Sequence, residues 1–191
     1  MVERVKARVR HGVEPVGRLL ARTGLSPNAL TALGCALNLG VGVVLGLGHL
    51  RAGGVLVLVV GAFDMLDGAL ARASGRASTF GAFFDSTLDR YSEAAVFMGL
   101  VAEGAFRSDS QVVLLSYAAG MGSLLVSYAR ARAEGLGLRG DVGWFQRPER
   151  IAVLGLGLAL GLEVPALWAR AVLTNHTALQ RIHHVWRLTR R

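Results

Sequence analysis

The sequence predicts an all-α polytopic membrane protein: six transmembrane helices preceded by an N-terminal amphipathic helix lying in the membrane interface. Three observations carry this. Of the 191 residues, 52% are hydrophobic and only 18% are charged, fewer charges than an ordinary soluble domain carries. The apolar residues come in unbroken runs rather than stripes; "ALTALGCALNLGVGVVLGLGHL" (29–50) has no charged residue and exceeds the roughly 20 residues that cross a bilayer. Seventeen of the 21 lysines and arginines, finally, fall on alternate connections between such runs, the bias that orients membrane proteins.

The elements follow in order. Residues 2–21 place Val5, Val9, Val13, Val16 and Leu20 at helical spacing, with Arg4, Lys6, Arg8, Arg10 and Arg18 between them, the pattern of a helix lying in the interface. The first 24 residues are too charged for a signal-peptide core, so no cleavage is expected. The six spans are expected at 28–48, 52–73, 80–104, 111–133, 148–163 and 165–187. Their most apolar stretches after the first are "GGVLVLVVGAF" (53–63), "VVLLSYAAGMGSLLVSYA" (112–129), "IAVLGLGLALGL" (151–162) and the weaker "PALWARAVLTNHTALQ" (165–180). Gly42 with Gly46, and Gly157 with Gly161, form small-xxx-small pairs that suit close helix packing. One domain is expected over 1–191, with 1–22 as its juxtamembrane helix.

Charge and cysteine content narrow the class. The formal net charge is +8, but the arginines lie at span ends rather than in one patch. That distribution suits an anionic lipid surface or a phosphorylated substrate, and no nucleic acid partner is expected. Arg51, Arg107 and Arg170 fall on the sparse side and Arg90 inside the third span, so both termini are expected in the cytoplasm and the protein in the cell membrane. A single cysteine, Cys35, excludes an internal disulfide and a cysteine-based metal cluster.

The chemistry concentrates in "FDMLDGALARASGRASTFGAFFDSTLD" (63–89). Asp64, Asp67, Gly68, Ala71 and Arg72 share one helix face, as do Gly81, Asp85 and Asp89. The short "ASGRAS" between them makes the two helices antiparallel neighbours. Four converging carboxylates would repel, which divalent cations resolve: carboxylate oxygens suit Mg²⁺ or Mn²⁺, and two such ions suit transfer chemistry on a diphosphate. Gly68 and Gly81 leave room for a phosphate at the backbone, and Arg72 can neutralise one of its oxygens. On the residues alone an alternative stands, since intramembrane acids also mark ion pathways. A divalent-cation transporter, however, needs an aqueous route from both faces, and these acids cluster toward one.

Read as Asp64-x2-Asp67-Gly68-x2-Ala71-Arg72-x8-Gly81-x3-Asp85-x3-Asp89, the stretch resembles the full signature of the CDP-alcohol phosphotransferase family. The resemblance implies a six-helix membrane enzyme, usually a homodimer, with a two-metal site that displaces CMP from a CDP-linked alcohol. It implies that Asp64, Asp67 and Asp85 bind metal, and that Asp89 borders the metals and acts as general base. Gly68, Ala71 and Arg72 would face the CDP group of the donor, with Asp67 and Gly81 beside it. "SPNALT" (26–31) resembles the family's entry to the first span, making Asn28 and Thr31 nucleotide contacts; such residues also simply cap helices.

For the acceptor, Arg130, Arg132 and Arg150 stand at the expected cytoplasmic ends of spans four and five, with Arg181 near the end of span six. Together they suit a phosphate monoester, although cytoplasmic span ends carry arginines in any case. "SYARARAE", "RPER" and "DSTLDR" are similar to the bacterial phosphatidylinositol phosphate synthases of the family, which implies CDP-diacylglycerol as donor and inositol phosphate, a phosphorylated polyol, as acceptor. Arg130 stands where that branch is expected to carry lysine. The alternatives are a glycerol phosphate acceptor, as in phosphatidylglycerophosphate synthases, or a donor with ether-linked chains.

Overall fold

The computed structural model describes Pro15 and residues 18–190. The amphipathic helix expected over 2–21 lies outside these residues except for Pro15 and 18–21, which are helical. Every regular element among the described residues is a helix: α1 (Pro27–Gly46), α2 (Leu50–Phe63), α3 (Met65–Ala73), α4 (Thr79–Phe106), α5 (Ser110–Gly135), α6 (Arg147–Ala159) and α7 (Glu163–Thr189). Among the described residues three stretches are long and apolar enough to cross a membrane: α1, α2 with α3 taken as one stretch of 24 residues, and α5. The others differ for visible reasons. α4 carries Asp85, Asp89, Arg90, Glu93 and Glu103, α6 has only 13 residues, and α7 carries Glu163, Arg170, Arg181 and Arg187. Large apolar side chains such as Leu47, Met98, Leu114 and Leu160 are about two-thirds exposed, far more than a soluble surface tolerates.

The chain divides into two compact units. One comprises residues up to Gly40 together with Val59–Glu93. Here Ser26 caps α1, its Oγ accepting from the Ala29 amide at 3.1 Å, with Pro27 opening the helix. The second expected span is interrupted at Asp64, although the Asp64 amide still donates to the Val60 carbonyl at 3.0 Å. The break is a bend between α2 and α3 rather than a loop. α3 stops at the short turn the sequence predicts, where Gly75 adopts a φ of 65° that other residues rarely take. Ser78 then opens α4 by accepting from the Gly81 amide at 2.9 Å. Leu30, Ala69 and Leu70 are buried, as is Asn38, which donates to the Gly34 carbonyl at 3.0 Å.

The other unit comprises Val41–Leu58 and the chain from Ala94. Its main packing is α5 on α7, with α6 against α7 as well, around buried Leu45, Leu100, Leu154, Leu158 and Leu167. Asp109 caps α5 by accepting from the Gln111 and Val112 amides, both at 3.1 Å. Small residues set the contacts. A side chain on Gly42 would overlap the Ala95 carbonyl and one on Gly99 the Gly42 carbonyl, whereas Gly46 makes only ordinary contact. Gly157 meets Ala166 in the same close way. Gly161, its expected pairing partner, instead has a φ of 77° just beyond α6 and ends the helix at 159, short of the expected 163.

Replacing Gly42 with Val should therefore force α1 off the Ala95 backbone and cost about 2 kcal/mol. The contrast is Gly40→Ala, where nothing lies within 4 Å of the added carbon. Thermal unfolding of the purified proteins should show a lower Tm for Gly42→Val and an equal or higher one for Gly40→Ala, since alanine is the better helix former.

Candidate active site

The helix starts and turns of the first unit enclose a cavity of about 240 Å³. Eight residues singled out in the sequence line it: Asn28, Thr31, Asp67, Gly68, Ala71, Arg72, Gly81 and Asp85. Because Ser26 caps α1, Asn28 and Thr31 are left to face the cavity. The Thr31 hydroxyl lies 3.1 Å from the Pro27 carbonyl and 2.8 Å from Asp67 Oδ2. With a single proton to give, it donates best to the nearer and charged acceptor. Asp67 is buried, and its Oδ1 also accepts from the Gly68 amide, so both carboxylate oxygens are held.

Two glycines keep the cavity open. A side-chain carbon on Gly81 would sit 3.3 Å from Asn28 Oδ1 and 3.1 Å from Ser78 Oγ, and one on Gly68 would sit 3.3 Å from the Arg72 guanidinium. Ala77, Ser78, Gly81 and Ala82 put the N-terminal turn of α4 on the cavity wall, where a helix favours an anion through its exposed amides. Arg72 and Arg76 line the same space. The cavity thus offers two carboxylates, two guanidiniums and a helix N-terminus, a combination suited to a phosphate compound that arrives with cations.

The remaining carboxylates stand one helical turn from these two. Asp64 is half-buried at the α2–α3 bend, packed so closely on α1 that a side-chain carbon on Gly34 would lie 2.7 Å from Asp64 Oδ1. Asp89 is half-buried and lies 3.4 Å from the Arg90 guanidinium, and Asp64, Asp85 and Asp89 all have further partners. Among the described residues no three acidic, histidine or cysteine groups stand at metal-ligand spacing. Like charges repel, and each carboxylate is drawn toward its own neighbours. The donor set itself, four buried or half-buried carboxylates with no histidine or thiol lining the cavity, fits hard divalent cations.

In the second unit, Arg150 and Arg181 are buried rather than splayed at span ends. Arg150 donates to the Ser123 carbonyl at 3.2 Å; Arg181 donates to the Val142 carbonyl at 2.9 Å and to that of Val126. Arg130 and Arg150 are electrostatic neighbours of Arg181, which groups three of the four expected acceptor arginines. Arg130 is exposed and pairs with Glu134 at 2.8 Å. Arg132, two residues on and so on another face of α5, lines an apolar groove together with Arg181, Leu136, Ile182 and Val185.

Gly34, Arg76 and Ser78 are among the site residues that the motif did not single out. The first is one glycine among many in an apolar run and gives no signal of its own. Ser78 is a serine directly before a helix, a recognisable cap.

A helical membrane chain that frames carboxylates, an arginine and a helix N-terminus around one cavity is built to act on a phosphate-linked substrate, and the chain belongs to the CDP-alcohol phosphatidyltransferase family, whose model matches residues 24–180. It is accordingly a transferase of phospholipid synthesis, and the cation-transporter alternative falls. More particularly, it is 40% identical over 183 residues to the phosphatidylinositol phosphate synthase of Mycobacterium tuberculosis, a match spanning 90% of this chain and 84% of that protein. It is 36% identical over 188 residues to the archaetidylinositol phosphate synthase of Pyrococcus horikoshii, spanning 96% and 95%. Crystal structures of the M. tuberculosis synthase are similar throughout. The one with CDP-DAG bound has a TM-score of 0.84 at 37% identity over 91% of this chain and 93% of that one. The complex with manganese and citrate has a TM-score of 0.85 at 37% identity over 91% and 88%.

The supports of Asp64 and Asp67 should tune cation affinity. Gly34→Ala, which pushes on Asp64, is expected to weaken Mn²⁺ binding about tenfold, and Thr31→Val, which frees Asp67, by a similar order. The measurement is the Mn²⁺ concentration that half-maximally raises Tm, with no turnover involved; unchanged midpoints would remove both residues from the site.

Proposed function

We propose that the chain transfers the phosphatidyl group of CDP-diacylglycerol to a hydroxyl of inositol phosphate, giving phosphatidylinositol phosphate and CMP. The single observation that carries this is the cavity in which Asn28, Thr31, Asp67, Gly68, Ala71, Arg72, Gly81 and Asp85 meet. Asp64, Asp67, Asp85 and Asp89 would hold two divalent ions, Mg²⁺ or Mn²⁺, which when bound neutralise charge on the diphosphate and on the departing CMP.

The chain's own residues do the rest. Gly68 and Gly81 admit the nucleotide end of the donor against the backbone, with Asn28, Thr31 and Ala71 around it. Arg72 meets a non-bridging phosphate oxygen. An aliphatic hydroxyl is a weak nucleophile, so Asp89 takes its proton as the oxygen attacks the phosphorus bearing diacylglycerol and the bond to CMP breaks. Arg130, Arg150 and Arg181 bind the acceptor's phosphate through their forked donors. Arg132, which shares a groove with Arg181, is the fourth member of the proposed set.

The inositol phosphate acceptor is supported by two relatives whose names share it, one bacterial and one archaeal. The archaeal one favours a second reading of the donor, with ether-linked archaetidyl chains in place of acyl chains. We further propose one membrane domain of six spans with both termini and the site on the cytoplasmic face of the cell membrane, working as a homodimer. The count of spans takes α4 and α7 as crossing with charges turned to protein and the 13-residue α6 as a short fifth crossing; the orientation follows from the arginine bias.

An acceptor screen of purified protein with acyl and ether CDP-lipids tests the reading through CMP release. Inositol phosphate should be used and glycerol phosphate should not; the reverse would reassign the acceptor. Asp89→Asn should lower turnover by about 10²-fold or more while CDP-diacylglycerol still binds, and normal turnover would reject Asp89 as the base.

A further inference from the structure

Arg170 is the residue of the second unit that the transfer reaction leaves without a task. It is 2% exposed and sits in the interior of α7, where an apolar residue would pack at lower cost and where a charge marks function. Its surroundings are specific. One terminal nitrogen donates to the Arg150 carbonyl in the first turns of α6, and the other donates to Ser123 Oγ on α5 at 3.2 Å. The face of the guanidinium lies 5.0 Å from the centroid of the Phe97 ring, a favourable cation–π distance.

Ser123 meets both arginines. Its carbonyl accepts from Arg150 at 3.2 Å and its hydroxyl meets Arg170, and it is fully buried. Backbone packing explains why α7 can reach it. A side chain on the neighbouring Gly122 would overlap Thr174 Oγ1 and lie 2.6 Å from Asn175, so α5 and α7 touch one turn beyond Arg170. On the other side Gly120 admits Phe97, whose ring would be 3.2 Å from an added carbon. Three helices, α5, α6 and α7, are thereby joined at one guanidinium.

We infer that Arg170 is a positioning residue for the acceptor site. By holding the Arg150 carbonyl and the Ser123 hydroxyl together, it fixes the start of α6 and aims the Arg150 side chain at the acceptor's phosphate. The inference rests on the function proposed above, in which Arg150 binds that phosphate. Arg170 acts through Arg150, so its loss should weaken acceptor binding without touching the donor. Lysine should not replace it, because a single ammonium cannot reproduce the fork that reaches two helices.

The test is the KM for inositol phosphate, the KM for CDP-diacylglycerol, kcat and Tm of the full-length protein and three variants. Arg170→Gln should raise the inositol phosphate KM about tenfold or more, and Arg170→Lys should do the same, with the CDP-diacylglycerol KM unchanged within about twofold. Ser123→Ala, which removes one hydroxyl contact, should raise the inositol phosphate KM about threefold. Equal shifts in both KM values, or a fall in Tm that Arg170→Lys repairs together with activity, would show a purely structural arginine. Should Arg170→Gln not fold, an unchanged inositol phosphate KM in Ser123→Ala overturns the inference by itself. A wild-type protein that releases no CMP with inositol phosphate removes the functional reading and this inference together. A wild type that uses it alongside an unaffected Arg170→Gln removes this inference alone.

Discussion

An ionised side chain withdrawn from water must meet an opposite charge or a full set of hydrogen bonds, and the polar interior of this protein is organised by that constraint. Asp67 meets it with the Thr31 hydroxyl at 2.8 Å and the Gly68 amide. Arg181 meets it with two backbone carbonyls, and Arg170 with a carbonyl, a hydroxyl and an aromatic face. In every case one partner comes from another helix, so satisfying the charge also fixes how helices meet. The polar groups to which the proposed function gives a task are therefore also groups that hold the fold.

Small residues make these meetings possible. Backbone carbonyls and short side chains are more easily reached across a helix interface where a nearby position has no side chain. Gly34 lies beside Asp64, Gly68 beside Arg72, Gly122 beside Thr174 one turn from Arg170, and Gly140 would place an added carbon 3.0 Å from the Arg130 carbonyl. Close packing through glycine is a general device of membrane helices. Here it coincides with charged positions at these four of the 25 glycines, which gives them a reason more specific than compactness.

That coincidence also explains what could be read from the sequence. The cavity residues were legible because helix period places Asp64, Asp67, Gly68, Ala71 and Arg72 on one face, and Gly81 and Asp85 on another, across a turn too short to separate them. The bend at Asp64 was not, since Phe63-Asp64-Met65 contains neither glycine nor proline to announce it. Nor was the burial of Arg150, Arg170 and Arg181 legible: their acceptors include backbone carbonyls, which every residue carries and no motif records. Arg130 and Arg132 differ for a related reason. Helical period puts them on different faces of α5, but only packing shows that both lie near Arg181, Arg130 through its charge and Arg132 along a shared groove. The limit of the expected fifth span was set by Gly161, which reads equally well as a packing glycine or as a helix stop.

The two ends of the second unit treat arginine in opposite ways. Arg107 is surrounded by acids: it lies 3.0 Å from Glu103, 3.0 Å from Glu163 and 3.5 Å from Asp109. Its charge is consumed there, tying the end of α4 to the cap of α5 and the start of α7. Arg181 is held instead by the carbonyls of Val126 and Val142, which fix its geometry without cancelling its charge. Arg130 and Arg150 are its like-charged neighbours, and the acids Glu134 and Asp141 stand near it as well, with Glu134 paired to Arg130; on the proposed reading, an anion would add to these acids in balancing the arginines. A phosphate monoester carries the charge and the planar-facing oxygens that forked guanidiniums match.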